Sequence, residues 1–524
     1  MKNFIQHSIK IALSVVLIAL GSACKKSDSP EPPKPENGKI TIENAALVTA
    51  LKEQGFTFEG NTLVVNDKVR TTTSLNLSGK QLSDVKGLEA FPALSEVNLS
   101  NNKFAQTFDF GTLPATVKSV NLSGNELYDF KNLATTDYSD NAQEPYKLIR
   151  SFDKLVLPAT AKYNMDVLPA YVKLAPKSDV QMLNAQGTAE KYTTLREVPD
   201  ATLLLYMKKH YSSVMNGDKI DLSKRLSSEE ANNAFMISQA PQYNPNIIDT
   251  SEIDNIEGVE YIINNPLLSA LVHIQLSTDK KQTIPYIKLG QKVTAFGTVW
   301  VDTPNIDFSK AESLTAIQIM NNATVKKIDL SASKTMMQKG VANHNNFSGT
   351  AIRFANCSQL EEVILPDVSK APSPISAYNI AFLNLPALKS TIDFSKLQVA
   401  QDIYFGGISA KIVYPTYKFQ YYLTNGERDD KNGTLFFTPT KEIFDRPETK
   451  TFVEMYIPDK KIETSVFTDA PSLEVYDYLP LYDNEDEEDT GRASRIQSKK
   501  NKADDLFLNL IKREINKQKK LHNK

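Results

Sequence analysis

Apolar residues recur in a fixed pattern along part of this chain. Three segments align without gaps: residues 72–82 (TTSLNLSGKQL), 94–104 (LSEVNLSNNKF) and 117–127 (VKSVNLSGNEL). Each approximates L-x-x-L-x-L-x-x-N-x-L. The fourth positions are Leu75, Val97 and Val120, so the steps between them are 22 and 23 residues; the sixth positions are Leu77, Leu99 and Leu122. A short strand alternates faces, so positions four and six point into a core while three, five and seven point outward. The Asn at position nine, Asn102 or Asn125, bonds backbone groups that the turn leaves unpaired. The first segment departs, with Thr72 at position one and Lys80 at position nine, as an edge unit does. Stacking these units predicts three parallel polar rows: Ser74, Glu96 and Ser119; Asn76, Asn98 and Asn121; Ser78, Ser100 and Ser123.

The pattern returns downstream. Leu314-x-x-Ile317-x-Ile319-x-x-Asn322 fits the template between Ile306-Asp-Phe-Ser309 and Ile328-Asp-Leu-Ser331, which lie 22 residues apart. Phe354-x-Asn356-x-x-x-Leu360 and Phe382-x-Asn384-x-x-x-Leu388 share one spacing. Before the first repeat, residues 43–54 predict a helix with a Leu47, Val48 and Leu51 stripe, and Gly55 serves as its C-cap. With a strand over 63–65, this helix caps the stack, whose end leucines cannot face water. Asp200 N-caps a predicted helix through Leu204, Met207 and Tyr211 that Gly217 closes, and residues 227–230 (SSEE) form a capping box. LPAT recurs at 113 and 157, suggesting a degenerate repeat around Leu155. Residues 418–423 (KFQYYL) and 434–438 (TLFFT) flank a turn rich in Asn, Gly and Asp and predict a β-hairpin.

These residues carry a resemblance. GKQLSDVKGLEAFPALSEVNLSNNKF resembles the opening repeats of exported leucine-rich-repeat proteins of Bacteroidota, FANCSQLEEVILPD resembles the BspA-like repeat, and the regular units are similar to internalin-type ones. The resemblance implies an α/β or β-rich leucine-rich-repeat solenoid with short parallel strands, imperfect repeats, an N-terminal cap and a C-terminal β-rich end. It also implies adhesion or ligand binding. The expected organisation is a signal peptide over 1–23, a Pro-rich linker over 24–38, the cap over 39–70, regular repeats over 71–135, and an irregular, helical region over 136–260. Degenerate repeats follow over 261–410, a β-rich segment over 411–482, and an acidic linker with a basic helical tail over 483–524.

The chain's beginning points to a compartment. Lys2 and Lys10 flank a short n-region, residues 11–20 are apolar save Ser14, and Gly21, Ser22 and Ala23 lead to Cys24. Such a run is a secretory signal too short to span a bilayer. Its end resembles a lipobox, which implies diacylation of Cys24, although Gly21 stands where Leu is usual; ordinary cleavage with an unmodified Cys24 is the alternative. Pro30, Pro32, Pro33 and Pro35 then keep the linker extended. The implied location is the cell envelope, with the anchor in the outer membrane. With Cys24 acylated, Cys357 has no disulfide partner. At the other end, six acidic residues between 483 and 489 precede a tail whose eleven Lys and Arg outweigh three acids; its Phe507, Ile511 and Ile515 fall on one helical face.

Chemistry changes this picture little. A net charge of −2 gives no reason to expect nucleic acid. The histidines His7, His210, His273, His344 and His522 show no metal-ligand spacing, and H-E-x-x-H, C-x-x-C, P-loop and G-x-S-x-G motifs do not occur. No catalytic residue, cofactor or metal is expected. Asp307, Asp329 and Asp393 recur in I-D-[FL]-S, and their regular recurrence points to a turn or strand-end role. The expected function is protein binding or adhesion, with a host, matrix or envelope protein as partner and the membrane contacted through the lipid. The alternative is a glycan-binding accessory lipoprotein of a polysaccharide-uptake system, using the aromatics Tyr417, Phe419, Tyr421 and Tyr422. A hydrolase is a third reading, resting only on the unassigned middle region.

Overall fold

The structure, a computed structural model, describes residues 38–138, 145–239, 248–337, 350–368, 375–395, 397–408, 410–413, 434–438 and 447. It is mixed α/β, with many short strands in parallel sheets and few helices, and the described strands form no closed barrel. The signal, the linker up to residue 37, Cys24, the aromatics Tyr417, Phe419, Tyr421 and Tyr422, and the acidic and basic tail lie outside the described residues.

Helix α1 (Ala45–Glu53) begins where the Asn44 side chain accepts a hydrogen bond from Leu47 N, and it buries Leu47, Val48, Ala50 and Leu51. Gly55 follows with φ +77°, a conformation that disfavours a side chain. The strand expected over 63–65 runs over Thr62–Val64 and pairs antiparallel with Lys39–Thr41 and Phe58–Glu59. Lys80, the residue that broke the repeat pattern, ion-pairs with Glu53 of this helix at 2.6 Å.

The aligned segments become strands β1 (Ser74–Asn76), β2 (Glu96–Asn98) and β3 (Ser119–Asn121). They pair in parallel, Leu75 with Val97 and Val97 with Val120. Leu75, Leu77, Val97, Leu99, Val120 and Leu122 are all buried. Position eight carries the turn: Gly79, Asn101 and Gly124 have φ of +67°, +55° and +68°, values that suit Gly and Asn. Position nine carries the polar bookkeeping. Asn125 Nδ2 donates to Leu99 O (3.0 Å) and Leu122 O (2.8 Å), while its Oδ1 accepts from Asn102 N at 2.9 Å. Asn102 repeats this one unit earlier, donating to Leu77 O and Leu99 O and accepting from Leu82 N.

The first sheet does not stop at residue 135. Strands β4 (Lys154–Leu157) and β5 (Asp179–Leu183) continue it in parallel, with Leu155 beside Val120 and Val180 beside Leu155. Helix α2 (Val167–Leu174) lies between them in sequence. The degenerate repeat expected around Leu155 is a strand in register with β3, but the LPAT copies are not equivalent: residues 113–116 precede β3, whereas Leu157 ends β4. The segment expected to be irregular and helical holds, besides α2, two further rungs, because its spacing, not its alternation, departs from the template.

Helix α3 (Ala201–His210) starts on Asp200, whose Oδ1 accepts from Thr202 N and Leu203 N at 2.9 Å. The buried face is Leu203, Tyr206 and Met207; Leu204 is only half-buried and Leu205 is exposed. The helix ends at Tyr211. Gly217 closes nothing there, and sits in the turn between Met215–Asn216 and Lys219–Asp221. The Ser227 capping box is present in α4 (Ser228–Ala231).

A second sheet is parallel throughout. Its order is β6 (Phe235–Ser238), β7 (Val272–Gln275), β8 (Ala295–Val299), β9 (Ala316–Met320), β10 (Ala351–Ala355), β11 (Ile375–Leu385), β12 (Leu397–Ile408) and β13 (Thr434–Thr438). TLFFT is thus the strand beyond β12, paired with it in parallel; its expected hairpin mate at 418–423 lies outside the described residues. Both faces of β6 to β10 are buried. Ile317, Ile319, Ile352 and Phe354 fill one side, and Met236, His273, Gln318 and Arg353 are equally covered on the other. The polar residues of that second face keep the strand alternation in sequence, as in V-H-I-Q, A-I-Q-I-M and A-I-R-F-A, although His273, Gln318 and Arg353 are buried.

Asn322 bonds Val301 O and Thr303 Oγ1 (3.0 and 2.7 Å), and Asn321, Asn356 and Asn384 form a side-chain ladder, each with positive φ. The I-D-[FL]-S aspartates lie in two-residue and three-residue strands, and each accepts from the backbone N–H two residues on: Asp307 from Ser309, Asp329 from Ser331 and Asp393 from Ser395. Turn formation explains their recurrence.

Candidate functional site

Two places merit attention, the outward face of the first sheet and a cleft beside its last strands. The register aligns the predicted rows: Ser74, Glu96 and Ser119 stand side by side, as do Asn76, Asn98 and Asn121. Their uses differ. Asn76 Oδ1 accepts from Ser78 N (3.2 Å), Asn98 from Ser100 N (3.1 Å) and Asn121 from Ser123 N (3.0 Å). Position five therefore caps its own turn. At position seven, Ser78 and Ser100 hydroxyls bond each other at 2.7 Å, and Ser100 is buried. Ser123 is half-buried.

Position three is the row turned to solvent. Ser74 and Glu96 are exposed and Ser119 is half-buried. The register carries this row onto Lys154 and Asp179, both exposed. The face thus presents Ser, Glu, Ser, Lys and Asp in order. Lys154 and Asp179 were missed by sequence reading; the apolar pairs Leu155 and Leu157, and Val180 and Met182, spaced as positions four and six, were the signal for them.

The cleft encloses about 640 Å³. Segments far apart in sequence build it. Asp166 N-caps α2, accepting from Val167 N at 2.6 Å. Buried Asn164 spans Asp129 Oδ1 (3.0 Å) and Leu168 N (2.9 Å). From the second block, Lys288 Nζ reaches Asp129 Oδ2 at 2.8 Å and Asp166 Oδ2 at 3.8 Å. Asn264 fixes the backbone beneath it, accepting from Lys288 N (2.8 Å) and donating to Tyr286 O (3.0 Å). Behind this floor stands a column of near-parallel rings: Tyr286 on Tyr128 at 4.5 Å, Tyr128 on Tyr163 at 6.0 Å, and Tyr163 on Tyr261 at 6.3 Å. Such pairs add about 0.5–1.5 kcal/mol each beyond area burial. The column ties the two blocks together, and Asn305 adds a bond to the Tyr128 hydroxyl at 3.1 Å.

Charge in the cleft is coupled. Burial raises the Asp166 pKa and the adjacent Asp129 adds to this, against the pull of Lys288. Burial works to lower Lys288, but Asp166 and Asp129 outweigh it and leave it raised. Away from the floor, Cys357 is a free, buried thiol that burial pushes up to about 12. Among the described residues, no group of three or more His, Cys, Asp or Glu has the geometry to hold a metal, and no helix is long and apolar enough to cross a membrane.

Glu260, beside the tyrosine column, is 2% exposed, and burial pushes it up to about 7 from 4.5. Between those values the folded chain keeps a proton that the unfolded chain has released. Stability from this group therefore falls as pH rises through the window and levels off above 7, a loss on the order of 3 kcal/mol. Glu260→Gln retains an acceptor for Gly258 N, which Glu260 Oε2 holds at 3.0 Å. Urea unfolding at pH 5 and pH 8 is expected to show the variant gaining on the wild type at pH 8. An identical pH dependence for both proteins would refute the assignment.

No protein-family model matches this chain, and comparison with curated proteins returns no match.

Proposed function

We propose that this chain is a leucine-rich-repeat solenoid, exported and held at the cell envelope by lipid on Cys24, that binds a protein partner and performs no chemistry of its own. The observation that carries the reading is the position-three row. Ser74, Glu96, Ser119, Lys154 and Asp179 form one continuous line across five parallel strands, turned away from the core. Row five is spent on turns and Ser78 and Ser100 of row seven on each other, so recognition falls to row three. Mixed small and charged residues along a rigid line suit a protein surface, where charge placement sets specificity. The in-register stacking, the left-handed residue at position eight and the Asn bonds at position nine support the repeat reading.

The test is capture from envelope extract with the full chain as bait, compared with a Ser74→Arg, Glu96→Arg, Ser119→Arg bait. Ser74 and Glu96 are exposed, and half-buried Ser119 points away from the core with them, so the triple variant is expected to fold. A partner retained by the wild type is expected to fall at least tenfold on the variant. Equal recovery on both baits would reject this face, and turnover of a defined substrate by the purified chain would reject the absence of chemistry.

A further inference from the structure

The cleft has the capacity of a small-ligand site, its volume of about 640 Å³ lying inside the usual range of roughly 300–1,000 Å³. Its charges balance. Lys288, Lys292 and Lys310 stand on the wall against Asp137 and Asp166, and Asp129 lies directly behind Lys288. Three positive and three negative groups give a ligand of net charge no overall field to gain from. They do offer closely interleaved donors and acceptors. A hydroxyl is the group that uses both, since it donates once and accepts twice.

The floor has a matching geometry. Asp166 Oδ2 and Lys288 Nζ are 3.8 Å apart, beyond mutual hydrogen-bond distance. One hydroxyl oxygen can sit about 2.8 Å from each, accepting from the ammonium and donating to the carboxylate. Both partners are held in place: Asp166 by its cap on α2, and Lys288 by Asp129 and the Asn264 clamp on its backbone. Above the floor, Met165, Pro266, Leu267 and Leu289 provide apolar wall. Interleaved charges beside such a wall match a sugar ring, whose edge is hydroxyl and whose faces are C–H.

We propose that this cleft binds a neutral saccharide, one hydroxyl of which bridges Asp166 and Lys288. The site is separate from the outward face of the first sheet. Calorimetric titration of the full chain in detergent would use neutral hexasaccharides of glucose, mannose and xylose, with an oligogalacturonate as the charged comparison. Saturable binding of at least one neutral sugar is expected. Asp166→Asn keeps a cap for Val167 N, so it should fold as the wild type does while weakening that sugar at least tenfold. Gln291→Trp, at an exposed wall position, should fill the cleft and abolish binding. Ser74→Arg should leave the affinity unchanged, which separates this site from the partner-binding face. The proposal is overturned if no neutral sugar binds, if only the charged oligomer binds, or if both cleft variants bind as the wild type does.

Discussion

Replacing Leu99 by Asp is expected to unfold the first block of the protein. Leu99 has no exposed surface and sits at position six of the second unit, between Leu77 and Leu122. Removing a buried leucine costs about 2–5 kcal/mol, and a carboxylate left there without a partner adds several more. The total rivals the whole stability of an ordinary domain, about 5–15 kcal/mol. Stacked units are stabilised chiefly by nearest neighbours, so the loss spreads from the second unit to both sides of it. Circular dichroism during urea titration should show a major loss of structure at concentrations where the wild type is folded. A midpoint equal to that of the wild type would mean that Leu99 is not a core rung.

Asn125→Ala should come next, at about 3 kcal/mol. The side chain is 5% exposed, and truncation strands Leu122 O and Asn102 N and leaves Leu99 O with Asn102 as its remaining donor. Each unsatisfied buried group costs about 1–3 kcal/mol, and the lower figure applies where water reaches the turn. Asn125→Asp should be damaging too, because it retains the acceptor but turns a negative oxygen toward two carbonyls. Denaturation of the two variants beside Ser123→Ala, a half-buried neighbour, measures the effect. Losses no larger than that of Ser123→Ala would remove position nine from the architecture.

What the sequence reveals follows from which interactions are local. Alternation at positions four and six, Gly or Asn at eight and Asn at nine are each imposed by a strand and its own turn, so the first three units are legible. The Asp200 and Ser227 caps are legible for the same reason. Leu204 was misplaced because α3 packs through Leu203, Tyr206 and Met207, a choice set by its neighbours rather than by periodicity. β4 and β5 were obscured by the longer loops around them. In the second sheet the alternation survives, but its polar face, with His273, Gln318 and Arg353, is buried, and a buried polar row reads in sequence like an exposed one. The cleft was not legible at all. Asp129, Asp166, Asn264 and Lys288 share no spacing, and only the docking of one block on the other brings them together. The outward rows were read correctly as rows, yet only the hydrogen bonds separate position three from the turn-capping positions beside it.

The proposed function turns on whether the position-three row meets a protein. Photo-crosslinking tests it most directly, with a photoreactive residue placed singly at Ser74, Ser119 or Lys154, and at Ala105, which is exposed but off the strands. In envelope extract, the three row positions should crosslink to one common partner and Ala105 should not. Crosslinks of equal yield from Ala105, or none from the row while the wild-type chain still captures a partner, would contradict it.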